Sequence, residues 1–268
     1  MSRIYLNEVF SAAWGDDTGR IFEEAFKLDG ENYRLVKSRK TLRFEFAGRP
    51  YFVKLHRGVG WREIFKDLFQ GKIPVLGAAN EFNALNLLQK HGLPTMTPAG
   101  FGERNFNPAR RESFLITEEL TGMVSLEDFV LTPRFAKLRS NLLVKLASHA
   151  GKMHHLGINH RDCYICHYLL LPEAPPEATE LFVIDLHRAQ LRKQIPKRFQ
   201  IKDLSGLLFS AMDLGLSKAE LLKFTAVYCR KLEDTRLLHD RKFWATVQNK
   251  ARKLYRKVHH KNPPALPW

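Results

Sequence analysis

The sequence predicts an α+β fold in which a strand-rich N-terminal third precedes a mainly helical remainder. In the first third, β-branched and aromatic residues alternate with polar ones, whereas apolar residues recur at helical spacing after residue 126. The length of 268 residues also suffices for two lobes that share a cleft. We therefore expect two domains, residues 1–120 and 121–268, joined near a hinge-like segment at 117–120.

Five strands are expected in the N-terminal domain, and the first three should pair as an antiparallel set. They cover residues 33–37, 41–46, 50–56, 97–103 and 113–118. A turn at Ala47-Gly48-Arg49 separates the second strand from the third. Two further short strands, at 168–171 and 181–186, interrupt the helices of the C-terminal domain.

Helices are expected where apolar residues recur every three or four positions. They cover residues 60–69, 78–91, 135–155, 201–214, 218–232 and 240–259, and a shorter pattern lies at 21–26. The helix at 60–69 carries Trp61, Phe65 and Phe69, which suit either a bilayer interface or burial against the sheet. For the last helix we favour packing of its apolar side within the C-terminal domain, with its basic residues facing outward.

The formal net charge of +15 favours an anionic partner: nucleic acid, an acidic membrane surface, or a phosphorylated or carboxylated substrate. No nucleic-acid recognition motif is present, so we do not expect nucleic acid. No apolar run approaches the roughly 18 residues that span a bilayer, and no secretory signal opens the sequence. These features predict a cytoplasmic protein.

Three cysteines argue against a disulfide framework and favour a reducing compartment. Cys163, Cys166 and the nearby His167 have spacing that suggests a zinc site. No second cysteine pair exists, however, so we expect Cys163 and Cys166 to be packing residues.

One carboxylate follows a His-Arg pair between a long predicted helix and a short predicted strand. In His160-Arg161-Asp162, with His167 five residues beyond, Asp162 can accept the proton of an attacking hydroxyl while another group holds a metal. A polar turn bonded to its own backbone is the alternative for the triplet taken alone.

A second carboxylate and a lysine lie on predicted strands. Asp185 ends the apolar run Val183-Ile184, and a carboxylate fixed there suits Mg²⁺, which takes one or two oxygen ligands from protein. Lys54 is flanked by apolar residues, where a cation needs a partner, and Glu81 on the next helix is the candidate. An aspartate that merely ends its strand and an exposed edge lysine are the alternatives.

These residues occur in the order of the protein-kinase signature set, but the sequence departs from ordinary protein kinases. His167 stands where those kinases carry an asparagine metal ligand, and imidazole suits Mg²⁺ less well than oxygen does. The turn between the first two strands has no glycine. Its cations Lys37, Arg39 and Lys40 either neutralise phosphate or form a solvated hairpin tip. No Ala-Pro-Glu segment follows, which disfavours a protein substrate.

The sequence resembles the lipopolysaccharide core heptose kinase family over about residues 5–232. The resemblance rests on five segments: Phe52-Val53-Lys54-Leu55-His56, Ala79-Asn80-Glu81-Phe82, Thr117-Glu118-Glu119-Leu120, His160-Arg161-Asp162-Cys163-Tyr164-Ile165-Cys166-His167 and Val183-Ile184-Asp185-Leu186-His187-Arg188. It implies a bilobal protein-kinase-like fold in which Asp162 is the catalytic base, Lys54 clamps phosphate and Glu81 orients that lysine.

The resemblance also implies ATP and Mg²⁺ as cofactors. Asp185, with His167, would hold the metal, and Glu118, Leu120 and the three loop cations would contact the nucleotide. The expected reaction phosphorylates a heptose of the lipopolysaccharide inner core. The expected acceptor is a lipid-anchored core oligosaccharide, and the expected location is peripheral, on the anionic cytoplasmic face of the inner membrane.

Two alternatives remain open at this point. The motifs do not separate a heptose kinase from a kinase of the core octulosonic acid. The missing glycines and His167 also permit a catalytically inactive, kinase-shaped protein that binds glycolipid or membrane. The sequence leaves any protein partner unknown.

Overall fold

Strands dominate the first part of the chain and helices the second, which confirms the predicted α+β class. The computed structural model describes residues 2–36, 39–69, 74–105 and 107–267; the side chains of 34–36 and 67 are not described. Two compact units are present. Met1–Gln89 and Met96–Thr121 form the strand-rich unit, and Lys90–Thr95 and Gly122–Trp268 form the helical unit.

A six-stranded antiparallel sheet with the order β1-β5-β6-β4-β3-β2 forms the centre of the strand-rich unit. Its strands are β1 (Arg3–Leu6), β2 (Glu31–Val36), β3 (Arg39–Phe46), β4 (Arg49–His56), β5 (Pro98–Arg104) and β6 (Glu112–Glu118). All five predicted strands are present, whereas β1 was not predicted. The predicted turn between β3 and β4 is also present, with positive φ at Ala47 (49°) and Gly48 (72°).

Four helices accompany this sheet: α1 (Glu8–Trp14), α2 (Thr18–Lys27), α3 (Gly60–Phe69) and α4 (Ala79–Lys90). The side chains of Asn7 and Asp17 accept backbone amide hydrogens at the starts of α1 and α2. Apolar residues from α1, α2 and the sheet form the core, including Phe10, Trp14, Phe22, Phe44, Tyr51 and Phe114. Burial of these large side chains supplies much of the free energy that stabilises the unit.

Helix α3 leaves its aromatic side in solvent. Ile64 is buried, but Trp61 is 50%, Phe65 51% and Phe69 90% exposed. The rings of Trp61 and Phe65 stack with centroids 5.8 Å apart. Of the two alternatives for this helix, burial of the aromatic residues is therefore wrong.

The helical unit contains α5 (Leu126–Phe129), α6 (Pro133–His155), α7 (Lys197–Ser210), α8 (Lys218–Leu232) and α9 (Arg241–His259). Its short strands are β7 (Val124–Ser125), β8 (Ile158–Asn159), β9 (Tyr168–Leu170), β10 (Phe182–Val183) and β11 (Gln190–Leu191). They form two small sheets, ordered β10-β9-β7 and β11-β8. The strand predicted at 181–186 ends at Val183, because the chain then turns into a 3-10 turn at Leu186–Arg188.

Helix α9 packs its apolar side inside the helical unit, as the favoured interpretation predicts. Phe243, Trp244, Val247, Ala251 and Tyr255 are buried. Most of its lysines and arginines are exposed. Within the described part of the chain, no helix is long and apolar enough to cross a membrane.

All three cysteines are free thiols, two of them buried. Burial raises the pKa of Cys166 to about 11 and that of Cys229 to about 12. Residues 2–36, 39–69, 74–105 and 107–267 hold no cluster of three or more His, Cys, Asp or Glu side chains arranged for a metal. The zinc alternative therefore has no structural support.

His149 on α6 makes folding stability depend on pH. Burial lowers its pKa from 6.5 to about 4, so the folded protein holds it neutral while the unfolded chain protonates it below about pH 6.5. Because the folded pKa is depressed, stability falls as the pH drops from about 6.5 towards 4, by up to about 3 kcal/mol. Urea unfolding of wild type at pH 7 and pH 5 should show this loss.

His149→Gln should reduce this pH dependence, whereas His155→Gln, at an exposed position of the same helix, should leave it unchanged. Equal slopes of stability against pH for wild type and His149→Gln would contradict the assignment.

Candidate active site

Cross-strand register places Lys54 on the face of the sheet that α4 covers. Lys54 lies opposite Leu115, and Leu115 lies opposite Phe101. The Phe101 ring stacks on Phe82 of α4, with centroids 4.2 Å apart and an interplanar angle of 5°. Because directly opposed residues share a sheet face, Lys54 points towards the helix that carries Glu81.

Lys54 and Glu81 form the ion pair that the sequence suggests. Lys54 Nζ lies 2.6 Å from Glu81 Oε1, and the Glu81 side chain is only 1% exposed. The amide of Ala78 donates to the Ser113 hydroxyl at 2.9 Å and so fixes the start of α4 to strand β6. A carboxylate buried this deeply requires a cation or strong hydrogen bonds. The lysine is therefore held in one place by its partner.

We predict that Lys54→Met costs about 3 kcal/mol of the free energy of unfolding, because it leaves the buried Glu81 carboxylate without this cation. The double variant Lys54→Met/Glu81→Gln should regain most of that stability, because the buried charge is gone. Urea unfolding measures both variants. Kinase turnover should stay strongly reduced in both, so recovery of turnover in the double variant would contradict a phosphate-binding role for Lys54.

The hinge-like segment, residues 117–120, begins in the last two residues of β6. The amide of Glu118 donates to Thr97 O at 2.9 Å, and the Glu119 carboxylate accepts from Arg43 Nε at 2.7 Å. The amide of Leu120 has no hydrogen-bond partner among the described residues. Nucleotide contact at Glu118 and Leu120 stays a prediction.

The predicted phosphate-neutralising cations lie at the hairpin between β2 and β3. Lys37 lies outside the described residues. Arg39 begins β3, and Lys40 Nζ is 3.9 Å from the highly exposed carboxylate of Asp29. Their contact with nucleotide remains a prediction.

A buried carboxylate on α7 fixes the loop that carries Asp162. Asp203 is 1% exposed and accepts from the amides of His160 at 2.6 Å and Arg161 at 2.9 Å. His154 Nε2 lies 3.3 Å from the same carboxylate, and His154 Nδ1 lies 2.8 Å from the Tyr228 hydroxyl. Asp203 of α7 thus holds two loop amides and is itself supported by His154 of α6, which Tyr228 of α8 contacts in turn.

The same anchor holds a strained backbone. Arg161 has φ of +74°, a conformation that costs a non-glycine residue about 1 kcal/mol or more. Gly206 on α7 lets the helix approach this loop, because a Cβ at that position would lie 2.5 Å from Cys163 O. The loop conformation is therefore imposed by α7 rather than by local preference.

Asp162 is held by an arginine that follows Asp185. Arg188 Nη1 donates to both carboxylate oxygens of Asp162, at 2.9 and 3.0 Å. The Asp162 side chain is 19% exposed, so it stays accessible. The polar-turn alternative does not apply, because the carboxylate is bonded to a distant side chain.

His167 links Asp162 to Asp185. His167 Nδ1 donates to the backbone carbonyl of Asp162 at 2.7 Å, because a carbonyl only accepts. In the neutral ring this leaves the lone pair on Nε2, which lies 3.7 Å from Asp185 Oδ2. Asp185 also accepts from His187 Nδ1 at 2.6 Å. The predicted base and the predicted metal ligand are therefore brought together in the helical unit.

His160 contacts both His167 and the segment that leads to Asp185. Burial, opposed chiefly by Asp203, lowers its pKa, so the ring is neutral. Its Nε2 then donates to Ile184 O at 2.9 Å. Its ring stacks on His167, with centroids 5.5 Å apart and planes 7° apart. The two stacked imidazoles thus fix the orientation of His167.

The residues present are compatible with one Mg²⁺ that arrives with a nucleotide. Asp185 adopts a left-handed conformation (φ 57°, ψ 47°) that aspartate tolerates, and its Oδ2 faces His167 Nε2. This pair provides two ligand atoms, and Mg²⁺ commonly takes one or two protein ligands together with phosphates and water. A metal held by protein alone would need more ligands than this pair supplies.

Three contributors to this arrangement were not predicted from the sequence. They are Asp203, Arg188 and His187, the last two within the segment 183–188 that resembles the kinase family. A signal for Asp203 was available: it is an acidic residue that lies among Ile201, Leu204 and Leu207 of a predicted helix. A carboxylate at such a place needs buried donors.

Known proteins resemble this chain over nearly its whole length. The sequence model of the Lipopolysaccharide kinase (Kdo/WaaP) family matches residues 23–228. The chain belongs to this family. It is therefore a kinase, a phosphotransferase that acts on a sugar hydroxyl, and the resemblance drawn from its motifs is confirmed.

Individual relatives agree with this membership. The chain is 45% identical over 260 residues to the lipopolysaccharide core heptose(I) kinase WaaP of Pseudomonas aeruginosa, covering 94% of this chain and 96% of that protein. It is 46% identical over 232 residues to the WaaP of Escherichia coli, covering 84% and 86%. A solved structure of WaaP in complex with acyl carrier protein matches with a TM-score of 0.78 and 40% identity, covering 94% and 99%. The kinase-like fold class is thereby confirmed.

Proposed function

We propose that this kinase transfers the γ-phosphoryl group of ATP to a heptose hydroxyl of the lipopolysaccharide inner core. The observation that carries the proposal is the linkage through His167, which contacts the Asp162 backbone and lies 3.7 Å from Asp185. A base and a metal ligand side by side are the minimum that such a transfer needs.

Each residue has a role in this proposal. Asp162 accepts the proton of the acceptor hydroxyl while the oxygen of that hydroxyl bonds to the γ-phosphorus of ATP. The bond from that phosphorus to the bridging oxygen breaks, and ADP leaves. Lys54 neutralises nucleotide phosphates, and Glu81 orients it. Asp185 and His167 would hold Mg²⁺, which supplies charge neutralisation when bound.

Arg188 has a positioning role. Its contacts to both oxygens of Asp162 fix the plane of that carboxylate before the acceptor arrives. Positioning and charge neutralisation together supply most of the rate in phosphoryl transfer.

The heptose is preferred to the octulosonic acid because the matched curated relatives carry the name heptose(I) kinase. The test is incubation of purified protein with ATP and a defined core glycolipid, followed by phosphate mapping by mass spectrometry. Phosphate on the heptose is expected. Phosphate on the octulosonic acid would support the alternative kinase, and no Mg²⁺-dependent consumption of ATP would support the inactive glycolipid binder.

We also propose that the protein works peripherally at the cytoplasmic face of the inner membrane. The exposed aromatic side of α3 and the net charge of +15 support this location. Binding to vesicles that contain anionic lipid should weaken in Trp61→Ser/Phe65→Ser. Leu222→Ser, which replaces a residue 51% exposed on α8, is the control. Equal binding by both variants would remove α3 from this role.

Acyl carrier protein is a further proposed partner, because the matched WaaP structure contains it. An apolar cavity of about 50 Å³ in the helical unit supports this partner. It has room for the end of an alkyl chain and is lined by Leu143, Leu146, Leu207, Leu208, Phe224 and Val247, among others. Binding should be tighter for acyl carrier protein that bears an acyl chain, and Ala211→Phe, which fills the cavity, should abolish that difference. Equal binding with and without the chain would exclude the cavity.

A further inference from the structure

A basic cavity of about 200 Å³ opens in the helical unit beside the loop that carries Asp162. Its lining includes Arg161, Tyr164, Lys202, Ser205, Gly206 and Lys250. The lining holds three cations and no acidic residue. Lys202 and Lys250 are exposed, whereas Arg161 is half-buried.

The charge of this basic cavity is only partly offset, because Asp162 and Asp203 act on Arg161 and Lys202 through their charges. Among the described residues, no carboxylate oxygen lies within 4.0 Å of a side-chain nitrogen of Arg161, Lys202 or Lys250. Burial, and then Arg188, lower the pKa of Arg161; burial, and then Arg161 and Arg188, lower the pKa of Lys202. Arg161, Lys202 and Arg188 thus repel one another, and an anion beside Arg161 and Lys202 would relieve that repulsion.

The basic cavity adjoins the predicted catalytic base. Arg161 directly precedes Asp162, and Arg188, whose charge acts on Arg161 and Lys202, donates to the Asp162 carboxylate. The charges of Asp162 and Arg188 also act on the pKa of Tyr164, which lines the cavity. A group bound in this cavity therefore lies next to the place where the acceptor hydroxyl must meet its base.

We propose that the basic cavity binds an anionic group of the acceptor glycolipid, a carboxylate or a phosphate, and so sets which sugar hydroxyl faces Asp162. This inference rests on the proposed function. The cavity is concave and about the size of a few small anions, which suits a substituent on a sugar better than the broad surface of an acidic protein. Arg161 contributes a half-buried guanidinium to the lining, and a guanidinium can donate to paired oxygens of a carboxylate or phosphate.

The test compares Lys202→Gln/Lys250→Gln with the control Lys242→Gln/Lys253→Gln. The control removes the same charge from exposed positions of α9 that do not line the cavity. The cavity variant should raise KM for the glycolipid roughly tenfold, with kcat and KM for ATP unchanged, and the control should match wild type. Equal KM values for the two double variants would overturn the proposal.

To identify whether the cavity binds a carboxylate or a phosphate, KM is measured with three acceptors. They are the intact core glycolipid, the glycolipid with carboxyl groups converted to methyl amides, and the glycolipid stripped of phosphate. For wild type, one of the two modified acceptors should have a higher KM than the intact glycolipid. For the cavity variant, that modified acceptor and the intact glycolipid should have the same KM. A variant that changes only the affinity for acyl carrier protein would overturn the proposal in favour of protein docking. If wild type phosphorylates no acceptor, the proposed function fails, whereas normal turnover with unchanged KM in the cavity variant refutes this inference alone.

Discussion

Asp162→Asn is expected to lower kcat by about 10² to 10⁴, because asparagine cannot accept the hydroxyl proton. KM for ATP should change little, since the proposed nucleotide contacts lie at other residues. Urea unfolding should show stability close to that of wild type, because the asparagine oxygen can still accept from Arg188. Steady-state kinetics with the core glycolipid gives the two parameters separately.

Glu177→Gln is the matched control for this experiment, because Glu177 is an exposed acidic residue of the same unit. It should retain full activity. A kcat for Asp162→Asn within a few-fold of the wild-type value would remove Asp162 from the role of base.

Asp203→Ala is expected to lower the free energy of unfolding by about 3 kcal/mol or more. The substitution leaves the buried amides of His160 and Arg161 without acceptors, and each hydrogen bond to a charged group contributes about 1.5–3 kcal/mol. The backbone of Arg161 would then be free to leave its left-handed conformation. Activity per folded molecule should also fall, because Asp162 is the next residue.

Urea unfolding and turnover measured on the same preparations distinguish these two effects. Asp29→Asn is the control, because that carboxylate is 90% exposed, and its stability should change by less than about 0.5 kcal/mol. Wild-type stability in Asp203→Ala would mean that the loop does not depend on this anchor.

Much of the fold follows from periodicity in the sequence. The helices α3 (Gly60–Phe69) and α8 (Lys218–Leu232) have the predicted bounds, because their apolar stripes are long and end at clear positions. Strand β1 and helix α1 were missed, since four and seven residues give little periodic signal. Both are stabilised by tertiary contacts: β1 pairs with β5, and Phe10 of α1 is fully buried.

Some contacts of the candidate site were predictable from the sequence, and others were not. The pairing of Lys54 with Glu81 was predictable, because an apolar strand makes an isolated lysine costly and the next helix offers an acid. The contacts of Arg188 with Asp162 and of Asp203 with two loop amides were not predictable. They join residues 26 and 42 or more positions apart through geometry that no local pattern records.

The division of the chain between its two units bears on how the protein can be dissected. Residues 90–95 belong to the helical unit although they lie inside the N-terminal portion, and there Thr95 donates its hydroxyl hydrogen to Val183 O at 2.6 Å. Scission of the polypeptide near residue 120 would therefore strip the C-terminal fragment of a segment that borders β10. A fragment that contains the complete helical unit would have to begin before residue 90. Alternatively, the shorter fragment would need residues 90–95 added as a separate peptide.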